Sequence, residues 1–439
     1  HFDQYLAQLL DFIKTGKEPP IVFVTPPKYE TKYSFSKQHD DAEWTAMQES
    51  LRVFNIPSGI YILLERLSSH FRHAKERGWA IRIGHKWPHG GADTIASCLG
   101  IDAQTCWLLE LVESDVKKFD QSVLESMINL FYSTMHIHQA PGPDTEIYEK
   151  ITKYLLKVML NRLTRILGSL WVVVKGGVPS GIWQTSHMDS WVMLLYFCLF
   201  CVYEIMQEPD LATRYVMELE FLGIVRIVVY GDDHLFRKGG GLGAHRFSGV
   251  LFASFLKKHF NVELRDLKDG VSFCSVVQDG WLIMMGATFL KHQFILNPAW
   301  TPTNGQSVFL PFRESREFLI RAIWGREVRV RDEIDVLLSL MGHAYGTYAA
   351  NRDAYDRMLL LYSEIVAVVG LENLGQRLID RVGHEELKKI RQLGITEKDL
   401  LSGFPSWEKL VEKNIYDASY QDVSTMTLDA ADPLWTGLE

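Results

Sequence analysis

Apolar positions along the chain keep several rhythms, and each rhythm predicts a different element. Across Ile227 to Phe236 apolar β-formers lie on both sides of a Gly-Asp pair, the pattern of a β-hairpin closed by a tight turn. From Trp191 to Met206 the run is apolar almost without a break, which predicts a buried helix. Trp171–Val174 and the compact run Cys106–Val112 read as strands, and from Gln121 the spacing becomes helical through Tyr132. Helices are expected over Tyr61–Lys75, Glu146–Leu167 and Ala244–His259, a short strand over Val262–Leu264, and a second hairpin from Trp281 to Phe294. Beyond Pro298 helices dominate, from Glu314 to about Lys413, as in a separate helical lobe. The fold class is α+β.

Composition narrows the picture modestly. A chain of 439 residues, 47% hydrophobic and 23% charged, buries a large core and divides into two or three domains or one multi-lobed body. Its net charge of -8 excludes a uniformly basic coat on nucleic acid. An enzyme that keeps its basic residues in one channel remains open. Five cysteines without regular spacing fit a reducing compartment, and Cys198 and Cys201, inside the apolar run, read as helix-core residues. That run is shorter than the roughly 20 residues a membrane span needs and contains Glu204, so no transmembrane segment is expected. The chain opens at His1 and not at Met, so a preceding segment is expected.

Candidate chemistry sits at element ends. Asp232 and Asp233 place two carboxylates at one turn, where they repel. A polar surface turn would account for them, and so would a divalent-cation site, because oxygen ligands suit magnesium. Asp115 falls at a strand end and Asp120 at a helix start, where a capping role is the competing explanation. Lys175 to Gly181, with three glycines and a proline, feeds the long helix that carries Thr185 and Asp189. Such a loop presents N–H groups to phosphate or template. The basic loop from Arg82 to Gly91, with Trp87 in it, suits a phosphate backbone and a stacked base or simply a solvated loop, and Arg326 to Arg331 reads as a solvated helix face. Were the three carboxylate sites to converge, two metals held there would activate a 3′-hydroxyl and clamp a triphosphate, which is nucleotidyl transfer.

In order along the chain stand Asp115 and Asp120 as D-x4-D, Ser180-Gly181 with Thr185 and Asp189, then Gly231-Asp232-Asp233, then Phe289-Leu290-Lys291, with Lys28-x-Glu30 and Arg52 upstream. This series resembles the viral RNA-dependent RNA polymerases of the picornavirus-like group, on the partitivirus and picobirnavirus side, over about residues 25 to 295. The resemblance implies a right-hand polymerase with an antiparallel-sheet palm, mixed fingers and a helical thumb. Fingers would occupy 1–105, the first part of the palm 106–135, a fingers insertion 136–175, the second part of the palm 176–297, and the thumb with a C-terminal tail 298–439. It further implies that Asp115 and Asp232 bind Mg2+, which Mn2+ can replace, with Asp233 assisting. Asp120, Ser180, Thr185 and Asp189 would sense the ribose 2′-hydroxyl. Lys28, Lys32 and Arg52 would meet the triphosphate, Lys268 would protonate pyrophosphate, and Gly181 with Phe289, Leu290 and Lys291 would support template and primer. Partners would be template and nascent RNA, ribonucleoside triphosphates, and other viral replication or capsid proteins, in a host-cytoplasmic replication complex or inside a virion.

Three departures from the family pattern stand out. Asp189 replaces an Asn, His234 follows the carboxylate pair where a small residue is usual, and Lys268 rests on a loose pattern that Lys257 or Lys258 also satisfies. Tyr230-Gly231-Asp232-Asp233 satisfies the reverse-transcriptase Y-x-D-D as well, but those enzymes carry a bulky side chain where Asp120 stands. An inert RNA-binding relative and an unrelated two-metal nuclease are the other rivals.

Overall fold

The structure is a computed structural model that describes residues 2–32, 48–53, 55–68, 80–87, 90–135, 145–166, 168–223, 225–239, 245–278, 281–297, 309–324, 332–370, 372–391 and 395–416. It divides into two compact units. The first comprises His1–Ala74, Trp79–Ile83 and Glu110–Gly270, and the second Lys75–Gly78, Gly84–Leu109 and Val271–Glu439.

At the centre of the first unit is a four-stranded sheet in the order Leu264–Val271, Leu111–Val116, Asp233–Arg237, Arg226–Tyr230. The last two strands form the expected hairpin, with Tyr230 opposite Asp233, so the loop is the two residues Gly231 and Asp232. A two-residue loop whose twist matches its strands needs positive φ, and Gly231 supplies it at 65°. One face of the sheet is covered by helices Thr185–Gln207 and Gly249–Phe260. Their aromatics interlock with the sheet: Phe236 lies 4.8 Å from Phe197 and 5.8 Å from Phe252, and Phe252 lies 5.1 Å from Phe200 between ring centroids. Helix Thr185–Gln207 is long and apolar enough to cross a membrane, yet most of it is buried in the protein, Cys201 included.

A second sheet in this unit runs Ile56–Pro57, Phe23–Val24, Arg162–Ile166, Leu170–Val174. Beside it Pro27–Lys32 and Gln48–Val53 pair as a two-stranded ribbon that sets Lys28 opposite Arg52 and Lys32 opposite Gln48.

The second unit joins an antiparallel sheet to a helical bundle. Its strands are Cys274–Gln278, Trp281–Phe289, His292–Leu296 and Phe309–Phe312. Ser315–Trp324, Glu333–Tyr345, Arg352–Val369 and Leu374–Arg391 are its longer helices. Asp332, Asn351, Thr396 and Ser406 each cap a helix N-terminus with a side-chain oxygen, so helix starts there are written into the sequence.

Several expected elements differ in extent. Cys106–Val112 is not one strand: Cys106–Leu108 is a 3-10 turn and the strand starts at Leu111. The apolar run misleads because Trp107 and Leu108 are 56% and 61% exposed. The helix expected over 146–167 ends at Leu160, since Arg162–Ile166 alternates between buried and exposed and pairs with Leu170–Val174. The helix from Gln121 is broken at Val123, whose extended backbone lets its carbonyl accept the Gly177 N–H at 2.9 Å. Ser248 caps the next helix, so that helix begins at Gly249 and not at Ala244. The short strand expected at 262–264 instead runs Leu264–Val271, and the helix expected over 61–75 is Gly59–Ser68, with 69–79 outside the described residues.

Candidate active site

Register sets the carboxylates in place. Leu111–Val116 pairs with Asp233–Arg237 so that Ser114 lies opposite His234, and one step further puts Asp115 beside Asp233. The Ser114 hydroxyl and His234 Nε2 are 2.8 Å apart, on the face that meets Phe252. Alternation along the strands then sends Glu113, Asp115 and Asp233 to the other face. Burial pushes the His234 imidazole down to about 4, so it is neutral at physiological pH.

Asp232, on the turn, lies near enough to Asp115 for the two carboxylates to feel each other. Burial first, and then the Asp115 charge, raise its carboxyl above the ordinary carboxylate range. Asp189 adds to the crowding. It is 6% exposed, its Oδ1 has no hydrogen-bond partner, and burial together with the charges of Asp120 and Asp232 pushes it well up. The turn is held from behind by the neighbouring Ser190, whose hydroxyl accepts the Gly231 N–H at 2.7 Å and donates to the Ser186 carbonyl at 2.6 Å.

The glycine-rich stretch ahead of the long helix is tied down at both ends. Arg162 donates to the carbonyls of Gly176 and Gly177, and the Gly177 and Val178 N–H groups reach the carbonyls of Val123 and Asp120. Gly181 donates to the Asn55 carbonyl at 3.0 Å, and a Cβ there would stand 2.4 Å from that oxygen, so only glycine allows the approach. The Thr185 hydroxyl donates to the Pro179 and Ile182 carbonyls at 2.6 and 2.9 Å, and Ser180 is half-buried in the same loop.

Cations meet the acids from the edge strand. Arg265 forms an ion pair with Asp115, with Nε 2.7 Å from Oδ2, and Lys268 is paired with Glu113. Asp266 between them has φ of 51°, a break in the alternation that lets two side chains three residues apart reach the same neighbouring strand. The other two candidate lysines are engaged elsewhere, Lys257 with Glu263 at 2.6 Å and Lys258 with the Tyr203 hydroxyl at 3.4 Å. Lys28, Lys32 and Arg52 are placed by backbone pairing in their ribbon. Phe289 ends a strand of the second unit, and Leu290 and Lys291 form its hairpin turn at φ of 49° and 62°. Trp87, also in that unit, is buried against His292 at 4.5 Å, so its ring is core and not a free stacking surface. Arg326 to Arg331 lie outside the described residues.

Among the described residues no group of three or more His, Cys, Asp or Glu is gathered at metal-ligating geometry. The donor chemistry nevertheless fits a hard divalent cation: Asp115, Asp232 and Asp233 offer oxygen alone, and the repulsion that lifts Asp232 is what such a cation relieves. Arg265 meets part of that demand at Asp115.

The family described as viral RNA-dependent RNA polymerase matches residues 92–241, a stretch that holds Asp115, Asp120, Ser180, Gly181, Thr185, Asp189, Asp232 and Asp233. No curated protein matches the chain. Among solved structures it is similar to a sicinivirus 3Dpol RNA-dependent RNA polymerase, with a TM-score of 0.53 and 16% identity over 86% of this chain and 71% of that one. Its α+β architecture is thus the right-hand polymerase fold. Lys28, Lys32, Arg52, Lys268 and Phe289 to Lys291 lie beyond the matched stretch.

Four residues that shape the candidate site escape a reading of motifs. Glu113 was signalled only by standing two positions before Asp115, on the same face of a strand. Arg265, Ser190 and Glu65 reach the site across long sequence separations, and nothing local marks them.

Proposed function

We propose that the protein synthesises RNA on an RNA template by nucleotidyl transfer from ribonucleoside triphosphates. The observation that carries this reading is that Asp232 on the hairpin turn feels the charge of Asp115 on the neighbouring strand, while the buried Asp189 feels those of Asp120 and Asp232, so that the motif carboxylates act on one another. Asp115 and Asp232, with Asp233 assisting, would hold Mg2+ or Mn2+. Divalent cations bound there supply acidification of the 3′-hydroxyl and charge neutralisation at the triphosphate. The new bond joins the 3′-oxygen to the α-phosphorus, and the bond to the β-phosphate oxygen breaks. Pyrophosphate leaves and needs a proton, which Lys268 can donate once it parts from Glu113. Its side chain is 61% exposed, which leaves it open to a phosphate.

Asp120 and Asp189 read the ribose, with Ser180. Thr185 acts through the loop it closes, since its hydroxyl is engaged with two carbonyls. Lys28, Lys32 and Arg52 receive the triphosphate, and Gly181 with Phe289, Leu290 and Lys291 supports the strands. An Asp at 189 in place of Asn favours the partitivirus and picobirnavirus side of the group. The setting is genome replication in a cytoplasmic complex or a virion, beside other viral replication or capsid proteins.

The test is incorporation of labelled ribo- or deoxyribonucleotide on a homopolymeric RNA template with primer and Mg2+ or Mn2+. Template-dependent ribonucleotide incorporation, abolished by chelation, is expected; degradation of the RNA instead would make the chain a nuclease. Substituting Ala for Asp120 or Asp189 should narrow the preference for ribo- over deoxyribonucleotide about tenfold, the worth of one hydrogen bond to a charged group. An unchanged ratio removes the substituted residue from sugar reading.

A further inference from the structure

Glu65 is wholly buried on helix Gly59–Ser68, and among the described residues its two oxygens form no ion pair. They accept two backbone N–H groups instead, Trp183 on Oε2 at 3.0 Å and Gln184 on Oε1 at 2.8 Å. Those amides belong to the last turn of chain before helix Thr185–Gln207, where unsatisfied N–H groups and the helix dipole favour a negative charge. A buried carboxylate without an ion pair opposes folding unless its hydrogen bonds compensate. Asn55, ten residues earlier, takes the Gly181 N–H on its carbonyl. One segment, 55–65, therefore fastens both sides of the loop that leads from Ser180 to Thr185.

The geometry points to Glu65 as a positioning residue: its ionised carboxylate holds the Trp183–Gln184 amides and so fixes the loop against which the incoming nucleotide is read. This rests on the nucleotidyl-transfer reading above. Protonation would turn one oxygen into a donor facing an N–H and release one of the two fastenings. Burial pushes the Glu65 carboxyl up to about 7, partly countered by the two amides. The surrounding charged and titratable groups are Tyr61 and Arg66 on its own helix, Tyr132 from Glu125–Met135, Arg162 from Arg162–Ile166, and His187, whose ring lies 5.2 Å from Trp183. Both tyrosines are pushed upward by burial and Arg162 stays cationic, so none of these three changes charge near neutrality.

The experiment compares the full chain with Glu65→Gln between pH 6 and 8.5, by hydrogen exchange of the 181–187 peptide and by nucleotide kinetics. At pH 8 the substitution should speed exchange at 183 and 184 about tenfold after correction for intrinsic rates, and raise KM for the ribonucleotide about tenfold with kcat changed less than threefold. The wild-type chain should lose the same protection, and gain the same KM, as pH falls through 7, while Glu65→Gln stays flat. Equal protection in both proteins overturns the proposal. So does a pH midpoint that Glu65→Gln retains, which assigns the change to another group. Exchange is read without catalysis, so an absence of synthesis alongside altered exchange counts against the polymerase reading and not against Glu65.

Discussion

Replacing Asp232 with Asn should lower RNA synthesis by about a thousandfold or more while leaving RNA binding within about twofold of the wild-type value. The substitution keeps the shape of the turn and removes one charge. Binding should survive because a carboxylate repels phosphate, so its loss removes nothing that grips RNA. Stability supplies the second half of the prediction. In the folded protein Asp232 is lifted by burial and by Asp115, which means that at neutral pH its ionised form opposes folding. Asn removes that opposition, and in the presence of a chelator the variant should melt at or above the wild-type temperature. A group that hinders folding and is indispensable for turnover is there for chemistry. Retained synthesis in the variant would remove Asp232 from the reaction, and a fall in melting temperature would give it a structural role instead.

Phe252→Ala should destabilise the first unit by about 3–5 kcal/mol, read as a fall in the denaturant midpoint. Phe252 is fully buried and meets Phe197, Phe200 and Phe236 as well as the His234 ring at 5.8 Å. Truncation removes an aromatic ring from the centre of that cluster, and neighbours belonging to two helices and a sheet are too constrained to close the gap. The same cavity lies under the strand that begins at Asp233, so synthesis should fall even at temperatures where the variant stays folded. A loss below about 1 kcal/mol would mean that the cluster repacks freely.

What the sequence made legible was whatever local pattern determines. The hairpin at Gly231-Asp232 follows from turn chemistry flanked by β-formers, and Thr185–Gln207 emerges close to where apolar spacing puts it. Boundaries failed where a long-range partner decides. Arg162 reads as one more residue of an amphipathic helix until its guanidinium is seen on the Gly176 and Gly177 carbonyls, and Trp107 reads as core until its exposure is measured. Within the site the carboxylates were readable because their spacing is a motif. Their counter-ions were not. Arg265 meets Asp115 across 150 residues, and Glu65 meets Gln184 across 119. Pairings of that kind depend on how sheets and helices stack, and no window of sequence contains them.

The Ser190 hydroxyl joins two things that a motif description keeps apart. Asp189, its neighbour, faces Asp120 and Asp232, while Ser190 itself holds the N–H of the residue before Asp232. A shift of the helix along its axis therefore carries the turn with it. The proposed sugar inspection and the carboxylate proposed for chemistry share one mechanical degree of freedom, so under that proposal a mis-seated ribose that displaces the helix also detunes the reacting centre, with no separate signal required between them.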